Sequence, residues 1–361
     1  MPVLENLLAG RDAAILPVPA ADERQAALLT TALRAGSPID DDVAVVVSTS
    51  GTTGTPKGAL LTAAALRASA DATHDRLGGP GRWLLALPGY HIAGLQVLVR
   101  SVVAGTTPVS IAPSFDVDDL PGAIAAMGSG RRYASLVAVQ LDKALRDAGA
   151  AAALAELDAV LIGGGPMPAG VAERAEAAGV TVVRTYGMSE TAGGCVYNGV
   201  ALDGVTVRIV DGRIVLGGAT VAKGYRNPIS PDPFTEPGWF RTDDIGMLDD
   251  SGVLRVLGRV DDAISTGGLT VLPQLVESAL ATHPAIADCA VFGVADERLG
   301  QRVVAAVVLS SAATPEVAEL RAHVAQTLDA TAAPREVHIV DELPRRGIGK
   351  LDRRALATRF G

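Results

Sequence analysis

In the stretch VAVVVSTSGTTGTPKG, residues 43–58, an apolar strand leads directly into a loop rich in glycine, serine and threonine. Glycines let backbone N–H groups close around an anion, and the hydroxyl groups and Lys57 add hydrogen bonds and charge. A GxxxxGK[ST] loop beginning at Gly51 would require glycine at Pro56 and a hydroxyl side chain at Gly58. The stretch is therefore typical of a phosphate-binding loop, but not of the kinase or GTPase type; an ordinary surface turn is the alternative.

Short apolar runs alternate with alanine-rich helical patterns through the next part of the chain. Helices are predicted between several of the strands, for example at residues 61–77 and 168–179. The pattern predicts a mainly parallel α/β sheet that binds ligands at the carboxyl ends of its strands. The predicted strands are residues 43–50, 82–88, 107–112, 134–139, 159–165 and 180–187.

The pattern changes after residue 200, where strict alternation predicts two antiparallel hairpins, at residues 204–218 and 247–259. A polar, glycine-containing junction then leads into a shorter α+β unit. We expect a large ATP- and acyl-binding domain at residues 1–260 and a small, mobile domain at residues 261–361. The elements predicted in the small domain are a helix within 272–283, strands at 287–294 and 301–309, and a helix with Thr314 as N-cap and Pro315 in its first turn.

Composition excludes several classes of protein. Lys and Arg total 31 against 40 Asp and Glu, a net charge of −9, which argues against general attraction to nucleic acid or anionic membranes. No uncharged apolar run approaches the roughly 20 residues of a spanning helix, and the N-terminus lacks the basic start of a signal peptide. Cys195 and Cys289 form no CxxC pair, which favours reduced thiols. We expect a cytoplasmic protein with no nucleic-acid partner and no membrane insertion.

Four further motifs follow the phosphate loop in a fixed order. They are TYGMSETAGG at residues 185–194, GWFRTDDIG at 238–246, GRVDDAISTGG at 258–268 and LPRRGIGKLDRRAL at 343–356. Together with the loop, they resemble the adenylate-forming superfamily of acyl-CoA synthetases, adenylation domains of peptide synthetases and luciferases, from about residue 43 to the C-terminus. Five motifs in order argue against a surface turn that merely has this composition.

The resemblance implies an enzyme that joins a carboxylate to the α-phosphate of ATP, releases pyrophosphate, and then transfers the acyl group to CoA with release of AMP. Two anions must approach each other in the first step, so cations and hydrogen-bond donors must supply the catalysis. The implied cofactors and substrates are ATP, Mg²⁺, coenzyme A and a carboxylic acid.

The resemblance also implies roles for residues of the nucleotide site. Glu190 would ligate Mg²⁺, which prefers carboxylate oxygen, and Thr191 would donate to the α-phosphate. Asp244 would accept hydrogen bonds from the ribose hydroxyls, with Asp243 a flanking residue, and Arg259 would also reach the ribose. Tyr186 would lie against adenine. The other implied nucleotide-binding positions are Thr49, Ser50, Gly51, Thr52, Thr53, Gly54, Lys57, Gly164 and Gly187.

The two half-reactions imply further roles in the C-terminal part. In the family, a lysine at the position of Lys350 moves into the large domain and bridges the carboxylate and the α-phosphate. Asp261 matches the pivot about which the small domain turns. Gly267 and Gly268 match a segment that lines the tunnel for the CoA thiol. His91 matches a position that lines the acyl pocket and gates this tunnel, although a lone histidine is more often structural.

Only 47 residues precede the loop at Ser48, which indicates a shortened N-terminal region. Within the family, this short form most resembles the o-succinylbenzoate-CoA ligases of menaquinone biosynthesis, on length and on the segments LPGYHIAGLQVLVRSVVAG and LIGGGPMP. The second carboxylate of that substrate would need a cation, with Arg100 and Arg184 as candidates. Departures from the family pattern put the detailed phosphate geometry in doubt; they are Ser265, Thr270 and Ile348.

Two alternatives stay open at this point: another aromatic or fatty acyl-CoA ligase, and an acyl-AMP ligase that loads a carrier protein. A regulatory protein that only binds nucleotide is a third, and the presence of both Glu190 and Lys350 argues against it. The shortened N-terminal region would leave apolar surface exposed, so we expect a homodimer.

Overall fold

The structure, a computed structural model, describes residues 1–49, 55–112, 114–167, 169–310, 314–346 and 349–361. The predicted phosphate-binding residues Ser50, Gly51, Thr52, Thr53 and Gly54 lie outside these ranges, as does Ile348. Within the described ranges, no helix has both the length and the hydropathy needed to cross a membrane.

The N-terminal part places the phosphate loop between two paired strands. Its elements are α1 Pro2–Leu8, α2 Glu23–Ala32, β1 Val43–Val47, β2 Ala59–Thr62 and α3 Ala63–Arg76. The strand predicted at residues 43–50 is present as β1, but its expected place in the parallel sheet is wrong, because β1 pairs antiparallel with β2. The loop that joins them is shorter than the dozen or so residues that a parallel crossover needs. The predicted helix starts at Ala63, since the Thr62 hydroxyl accepts from the Ala65 N–H at 3.0 Å and caps it.

The central part is a helix-covered sheet. Its elements are β3 Arg82–Leu85, α4 Ile92–Val103, β4 Val109–Ser110, α5 Asp119–Ala126, β5 Arg132–Val137, α6 Ala138–Leu145, α7 Ala148–Ala155, β6 Ala159–Gly163, α8 Ala169–Ala177, β7 Val182–Met188, β8 Gly193–Tyr197 and β9 Val200–Ala201. The strand order is β4-β3-β5-β6-β7-β8-β9. Strands β4 to β7 are parallel, and β8 and β9 continue the sheet antiparallel. The predicted mainly parallel α/β sheet is therefore confirmed.

Both faces of the central strands β5 and β6 are buried, which explains why these strands read as unbroken apolar runs. In β6, Val160 and Ile162 pack into the core formed with α5 to α8, whereas Leu161 packs on the other face with Trp83 and Tyr133. Helices α3 and α4 contribute to the cores on that second face. The carboxyl ends of the strands are left at one edge, where the loops after β5, β6 and β7 meet.

An antiparallel sheet follows, as the hairpin patterns predict. Its strands, β10 Val205–Val210, β11 Arg213–Gly218, β12 Trp239–Leu248 and β13 Leu254–Arg259, pair in sequence order. Asp211 and Gly212 both have positive φ, +50° and +75°, which gives the two-residue turn that the Asp-Gly pair predicts. The register of β12 and β13 places Asp244 directly opposite Arg259.

The C-terminal part is an α+β unit with its own core. Its elements are β14 Ile264–Thr266, β15 Leu269–Val271, α9 Pro273–Leu280, β16 Ile286–Asp296, β17 Gly300–Leu309, α10 Val317–Val324, β18 Glu336–Ile339, β19 Arg345–Arg346, β20 Lys350–Leu351 and α11 Arg353–Phe360. The prediction of Thr314 as an N-cap is wrong: α10 starts two residues later, after Glu316, whose backbone is extended. The helix position follows the burial of Leu320 and Val324, which outweighs the preference of threonine for a cap.

Arg353 at the start of α11 joins three segments of the C-terminal unit. Its guanidinium donates two hydrogen bonds to the Glu277 carboxylate in α9, at 2.8 and 2.7 Å, and one to Asp262 at 3.1 Å. It also donates to the carbonyl of Val291 in β16 at 3.0 Å. Burial raises the pKa of Glu277, and the charge of Arg353 opposes that shift. Arg353 thus offsets part of the cost of burying the Glu277 carboxylate.

We expect Arg353→Met to destabilise the C-terminal unit by about 3 kcal/mol at pH 8, because it leaves the Glu277 carboxylate buried without its cation. The loss of Arg353 raises the pKa of Glu277 further, and the protonated carboxyl is the form that the variant fold accepts. The loss should therefore shrink at pH 5 and grow as the pH rises. Urea denaturation followed by circular dichroism at both pH values measures it; Arg359→Met, an exposed arginine of the same helix, is the control.

Candidate functional site

The candidate site lies at the carboxyl edge of the parallel sheet. The loop after β6 contributes Gly164, which has φ +82°, and β7 leads into a short turn at Ser189–Thr191 that carries Glu190. Gly187 makes this turn possible, because a Cβ there would stand 2.2 Å from the carbonyl oxygen of Gly193. The close approach of β7 and β8 therefore fixes the position of Glu190.

Glu190 is a buried carboxylate with a specific partner. Its Oε1 accepts a hydrogen bond from the hydroxyl of Tyr225 at 2.6 Å. Burial raises the pKa of Glu190, while the Tyr225 hydrogen bond and the charges of Lys57 and Arg259 act in the opposite direction. The positive charges of Lys57, at the phosphate-loop exit, and of Arg259, in β13, thus both favour the ionised form of Glu190.

The described part of the phosphate loop faces the same region. The ammonium of Lys57 lies 5.2 Å from the centroid of the Tyr225 ring. The hydroxyl oxygen of Thr49 is buried and has no hydrogen-bond partner among the described residues. A buried hydroxyl without a partner is a donor available to a ligand.

A chain of charged side chains connects the large sheet to the start of the C-terminal unit. The Tyr186 hydroxyl donates to Asp244 Oδ2 at 2.6 Å, and Arg259 donates to Asp244 Oδ1 at 3.1 Å. Arg259 also donates to both oxygens of Asp261, at 2.8 and 3.0 Å. Burial alone would lower the pKa of Arg259, but Asp261, Asp244 and Asp243 outweigh it and raise the pKa. Burial next to Asp244 raises the pKa of Tyr186, so its hydroxyl stays a donor.

Lys350 lies near this chain of charges. It is exposed on β20, which pairs with β19, and Arg345 donates to the carbonyl of Gly349 at 3.0 Å. Burial raises the pKa of Asp261, but the hydrogen bonds and charge of Arg259, with a smaller contribution from Lys350, outweigh it and lower the pKa. A Cβ at Gly349 would stand 3.3 Å from Cγ2 of Val139 in α6. The hairpin that carries Lys350 is thus seated against the large sheet's helix layer.

His91 and Thr191 are two other predicted site residues. His91 precedes α4, and its ring lies beside that of Tyr90, tilted by 47° with 4.5 Å between centroids; burial lowers the pKa of His91. The Thr191 hydroxyl donates to the carbonyl of Gly193 at 2.8 Å, within the turn itself. To donate to the α-phosphate, the Thr191 hydroxyl would have to give up its hydrogen bond to the Gly193 carbonyl. The α-phosphate role of Thr191 stays a prediction.

Gly267 and Gly268 form the two-residue turn between β14 and β15, with φ +58° and +81°. The N–H of Gly267 donates to the carbonyl of Leu299 at 2.9 Å. Among the described residues, no hydrogen bond links these glycines to Glu190 or Asp244. The structure therefore holds them in the C-terminal unit, apart from the nucleotide-site candidates.

The two arginine candidates for a second carboxylate lie elsewhere in the large domain, Arg100 in α4 and Arg184 in β7. Arg100 is buried, with its guanidinium 4.9 Å from the centroid of the Trp83 ring and 3.3 Å from the Tyr197 hydroxyl. Arg184 is exposed on β7. No hydrogen bond within the described ranges joins either side chain to Glu190 or Asp244.

Tyr225 is the member of the site that sequence reasoning missed. It lies outside all five motifs, in the stretch VAKGYRNP at residues 221–228. The available signal was an aromatic residue after glycine in an otherwise polar, turn-rich stretch. Its contacts with Glu190 and Lys57 depend on long-range packing that the local pattern does not contain.

The donor set fits a metal-bound polyphosphate. Among the described residues, no three His, Cys, Asp or Glu side chains are grouped as a metal site. A single carboxylate suits Mg²⁺, which usually takes one or two carboxylates and completes its shell with water and substrate phosphates. Glu190 can supply that carboxylate, and Lys57 with the unpartnered hydroxyl of Thr49 can bind phosphate oxygens.

The chain matches known families of enzymes that bind AMP. Residues 11–226 match the family described as AMP-binding enzyme, and residues 275–350 match the AMP-binding enzyme C-terminal domain. A Mycobacterium tuberculosis protein named probable 2-succinylbenzoate--CoA ligase is 68% identical, with 100% of this chain and 94% of that protein covered. A Geobacillus kaustophilus 2-succinylbenzoate--CoA ligase is 37% identical, with 88% and 69% covered.

Solved structures agree with these relatives. The o-succinylbenzoate CoA synthetase (MenE) of Bacillus subtilis, in complex with the acyl-adenylate OSB-AMP, superposes with a TM-score of 0.74 at 31% identity, covering 87% of this chain and 69% of that one. The same enzyme with ATP and magnesium gives a TM-score of 0.74 at 31% identity, covering 89% and 72%. The chain therefore belongs to the AMP-binding enzyme family, the adenylate-forming enzymes.

Proposed function

We propose that this chain is an ATP-dependent 2-succinylbenzoate-CoA ligase that acts in menaquinone biosynthesis. It forms the acyl-adenylate with release of pyrophosphate, and then the CoA thioester with release of AMP. The observation that carries the proposal is the 68% identity, over the whole chain, to the Mycobacterium tuberculosis protein of that name. The site supports the same chemistry. The buried carboxylate of Glu190, the phosphate-loop donors and Lys350 of the C-terminal unit lie around one edge of the sheet.

In the proposed first step, the residues of this chain overcome the repulsion between two anions. Lys57 and Thr49, with the phosphate-loop residues outside the described ranges, bind the β- and γ-phosphates. Glu190 is the residue that would hold Mg²⁺, and the bound ion would neutralise phosphate charge. Lys350 bridges the substrate carboxylate and the α-phosphate, and holding a compact cation there lowers the barrier to attack.

The nucleoside end is held by the charged chain around Arg259. Asp244 accepts hydrogen bonds from the ribose hydroxyls, in place of or beside its present donors, and Arg259 holds its carboxylate in position. The ring of Tyr186 lies against adenine while its hydroxyl stays on Asp244. Gly164 and Gly187 border the nucleotide in this proposal, and Gly187 contributes by letting β8 approach β7 closely enough to position the Glu190 turn.

The second step requires the C-terminal unit to turn. We propose that residues 1–260 and 261–361 are two domains that pivot at Asp261. After adenylation, the turn withdraws Lys350 and brings the hairpin with Gly267 and Gly268 toward the adenylate. The absence of side chains there lets the CoA thiol pass, and His91 borders the acyl pocket and the thiol path.

The cysteines bear on the compartment in which the enzyme acts. Both cysteines are free, which suits a reducing compartment, and we place the enzyme in the cytoplasm.

We also propose a homodimer, since α1 and α2 expose Val3 and Leu28 at their surfaces. Sedimentation equilibrium should then give the mass of two chains; a single-chain mass across micromolar concentrations contradicts the dimer.

The first experiment measures pyrophosphate release from ATP and Mg²⁺ with 2-succinylbenzoate, with and without CoA, beside a panel of benzoates and fatty acids. We expect release that requires 2-succinylbenzoate, with AMP and a CoA thioester as products. Release with a different acid would replace the substrate and keep the reaction. Release without thioester formation until a carrier protein is added would favour a carrier-loading ligase.

Lys350→Ala separates an enzyme from a nucleotide-binding regulator. We expect pyrophosphate release to fall about 10²- to 10³-fold, because one preorganised charge is removed from the transition state. ATP affinity, measured by calorimetry, should stay unchanged, since the phosphate loop and Asp244 remain. Arg346→Ala, on the partner strand of the same hairpin, is the control. Full activity in Lys350→Ala would contradict the proposed role.

Asp244→Asn and Asp243→Asn form a matched pair. Asp244 is buried and bonded to Tyr186 and Arg259, whereas the side chain of Asp243 is 53% exposed. Charge-assisted hydrogen bonds contribute about 1.5–3 kcal/mol, so the Kd for ATP should rise about 10- to 100-fold in Asp244→Asn. It should change less than about 5-fold in Asp243→Asn. Calorimetric titration with ATP and Mg²⁺ measures both, and equal effects would contradict the assignment.

A further inference from the structure

Residues 222–227, which we call the strap, pair with the exit of the phosphate loop. Backbone hydrogen bonds run from Leu60 N–H to the Gly224 carbonyl at 3.0 Å, from Arg226 N–H to Gly58 at 2.7 Å and from Asn227 N–H to Lys57 at 2.9 Å. Ala59 and Tyr225 form an antiparallel bridge. The strap therefore fixes the backbone on which Lys57 is carried.

The strap also forms hydrogen bonds with the turn that carries Glu190, with Pro56 of the phosphate loop and with α2. The N–H of Ala222 donates to the Glu190 carbonyl at 2.9 Å. The side-chain amide of Asn227 donates to the carbonyls of Pro56 and Ala32, both at 2.8 Å. One six-residue segment thus connects the phosphate loop with the turn that carries the acidic side chain.

Tyr225 is the side chain of the strap that contacts both functional groups. Its hydroxyl donates to Glu190 Oε1 at 2.6 Å, and its ring lies 5.2 Å from the Lys57 ammonium. Phe234 packs edge-on against the ring at 5.2 Å between centroids. The aromatic contact holds the ring in place, so the hydroxyl and the ring face have fixed directions.

We propose that Tyr225 is a positioning residue that holds the Glu190 carboxylate next to Lys57, so that the metal ligand and the phosphate-binding cation act as one preorganised unit. The inference rests on the proposed function. Among the described residues, the Tyr225 hydroxyl is the only side-chain donor to Glu190, and it occupies Oε1. Within the described ranges, no side chain donates to the second oxygen, Oε2, which is therefore the oxygen that we assign to the cation.

Partners that orient a metal ligand commonly change metal affinity when they are removed. Their loss weakens binding by about 10- to 100-fold. The Tyr225→Phe variant removes the hydroxyl and keeps both the ring under Lys57 and the contact with Phe234. The change should therefore appear in the response to Mg²⁺ and not in the binding of metal-free nucleotide.

Calorimetric binding tests this directly, with ATP titrated in EDTA and Mg²⁺ titrated into the enzyme–ATP complex. In Tyr225→Phe we expect Mg²⁺ affinity to fall about 10- to 100-fold, with metal-free ATP binding unchanged. In Tyr225→Leu, which also removes the ring face, metal-free ATP binding should weaken as well. Tyr133→Phe removes a hydroxyl bonded to the Leu77 and Gly79 carbonyls and should change neither affinity.

A double-mutant cycle with Glu190→Gln guards against a merely structural effect. If Tyr225 acts through Glu190, adding Tyr225→Phe to Glu190→Gln should cause no further loss of Mg²⁺ affinity. Additive losses, or wild-type Mg²⁺ affinity in a folded Tyr225→Phe variant, would overturn the inference. If the wild type still releases pyrophosphate in that case, the proposed ligase function is unaffected. A wild type that binds no ATP with Mg²⁺ overturns the proposed function itself.

Discussion

The ion pairs of the Arg259 guanidinium organise the junction between the antiparallel sheet and the C-terminal unit. The guanidinium bonds to Asp244 in the neighbouring strand and to Asp261 at the start of the C-terminal unit, and it lies 3.7 Å from Asp243. Three carboxylates this close would repel one another without a shared cation. Arginine suits the position, because its planar fork can bind a carboxylate through two donors and serve another at the same time.

A second constraint comes from burying charge beside the sheet edge. The chain has a net charge of −9, yet it would bind a nucleotide that is itself strongly anionic. The structure resolves this locally, since Lys57, Arg259 and Lys350 all lie around Glu190, Asp244 and Asp261. Local pairing, and not overall charge, therefore sets the electrostatics of the site.

Much of the fold followed from the sequence, because hydrophobic periodicity and turn residues are local signals. The strands β3 to β7 and the Asp211-Gly212 hairpin were predicted in this way. The partner of β1 was not, because strand pairing depends on the path of the loop. The prediction of Thr314 as an N-cap is wrong, because burial of Leu320 and Val324 positions α10. The roles of site residues came from motif resemblance, and Tyr225 escaped because it lies outside every motif.

The contact between the Lys350 hairpin and α6 contributes little free energy. The position of Gly349 faces Val139, a side chain that remains 43% exposed, so the seat is a small apolar contact at the surface. Burying one such side chain completely contributes only about 1.5–3 kcal/mol, and partial burial contributes less. Under the pivot proposed at Asp261, a contact of that size would contribute little to the free energy that separates the two arrangements. Lys350 would then leave and re-enter the site without having to escape a deep energy minimum.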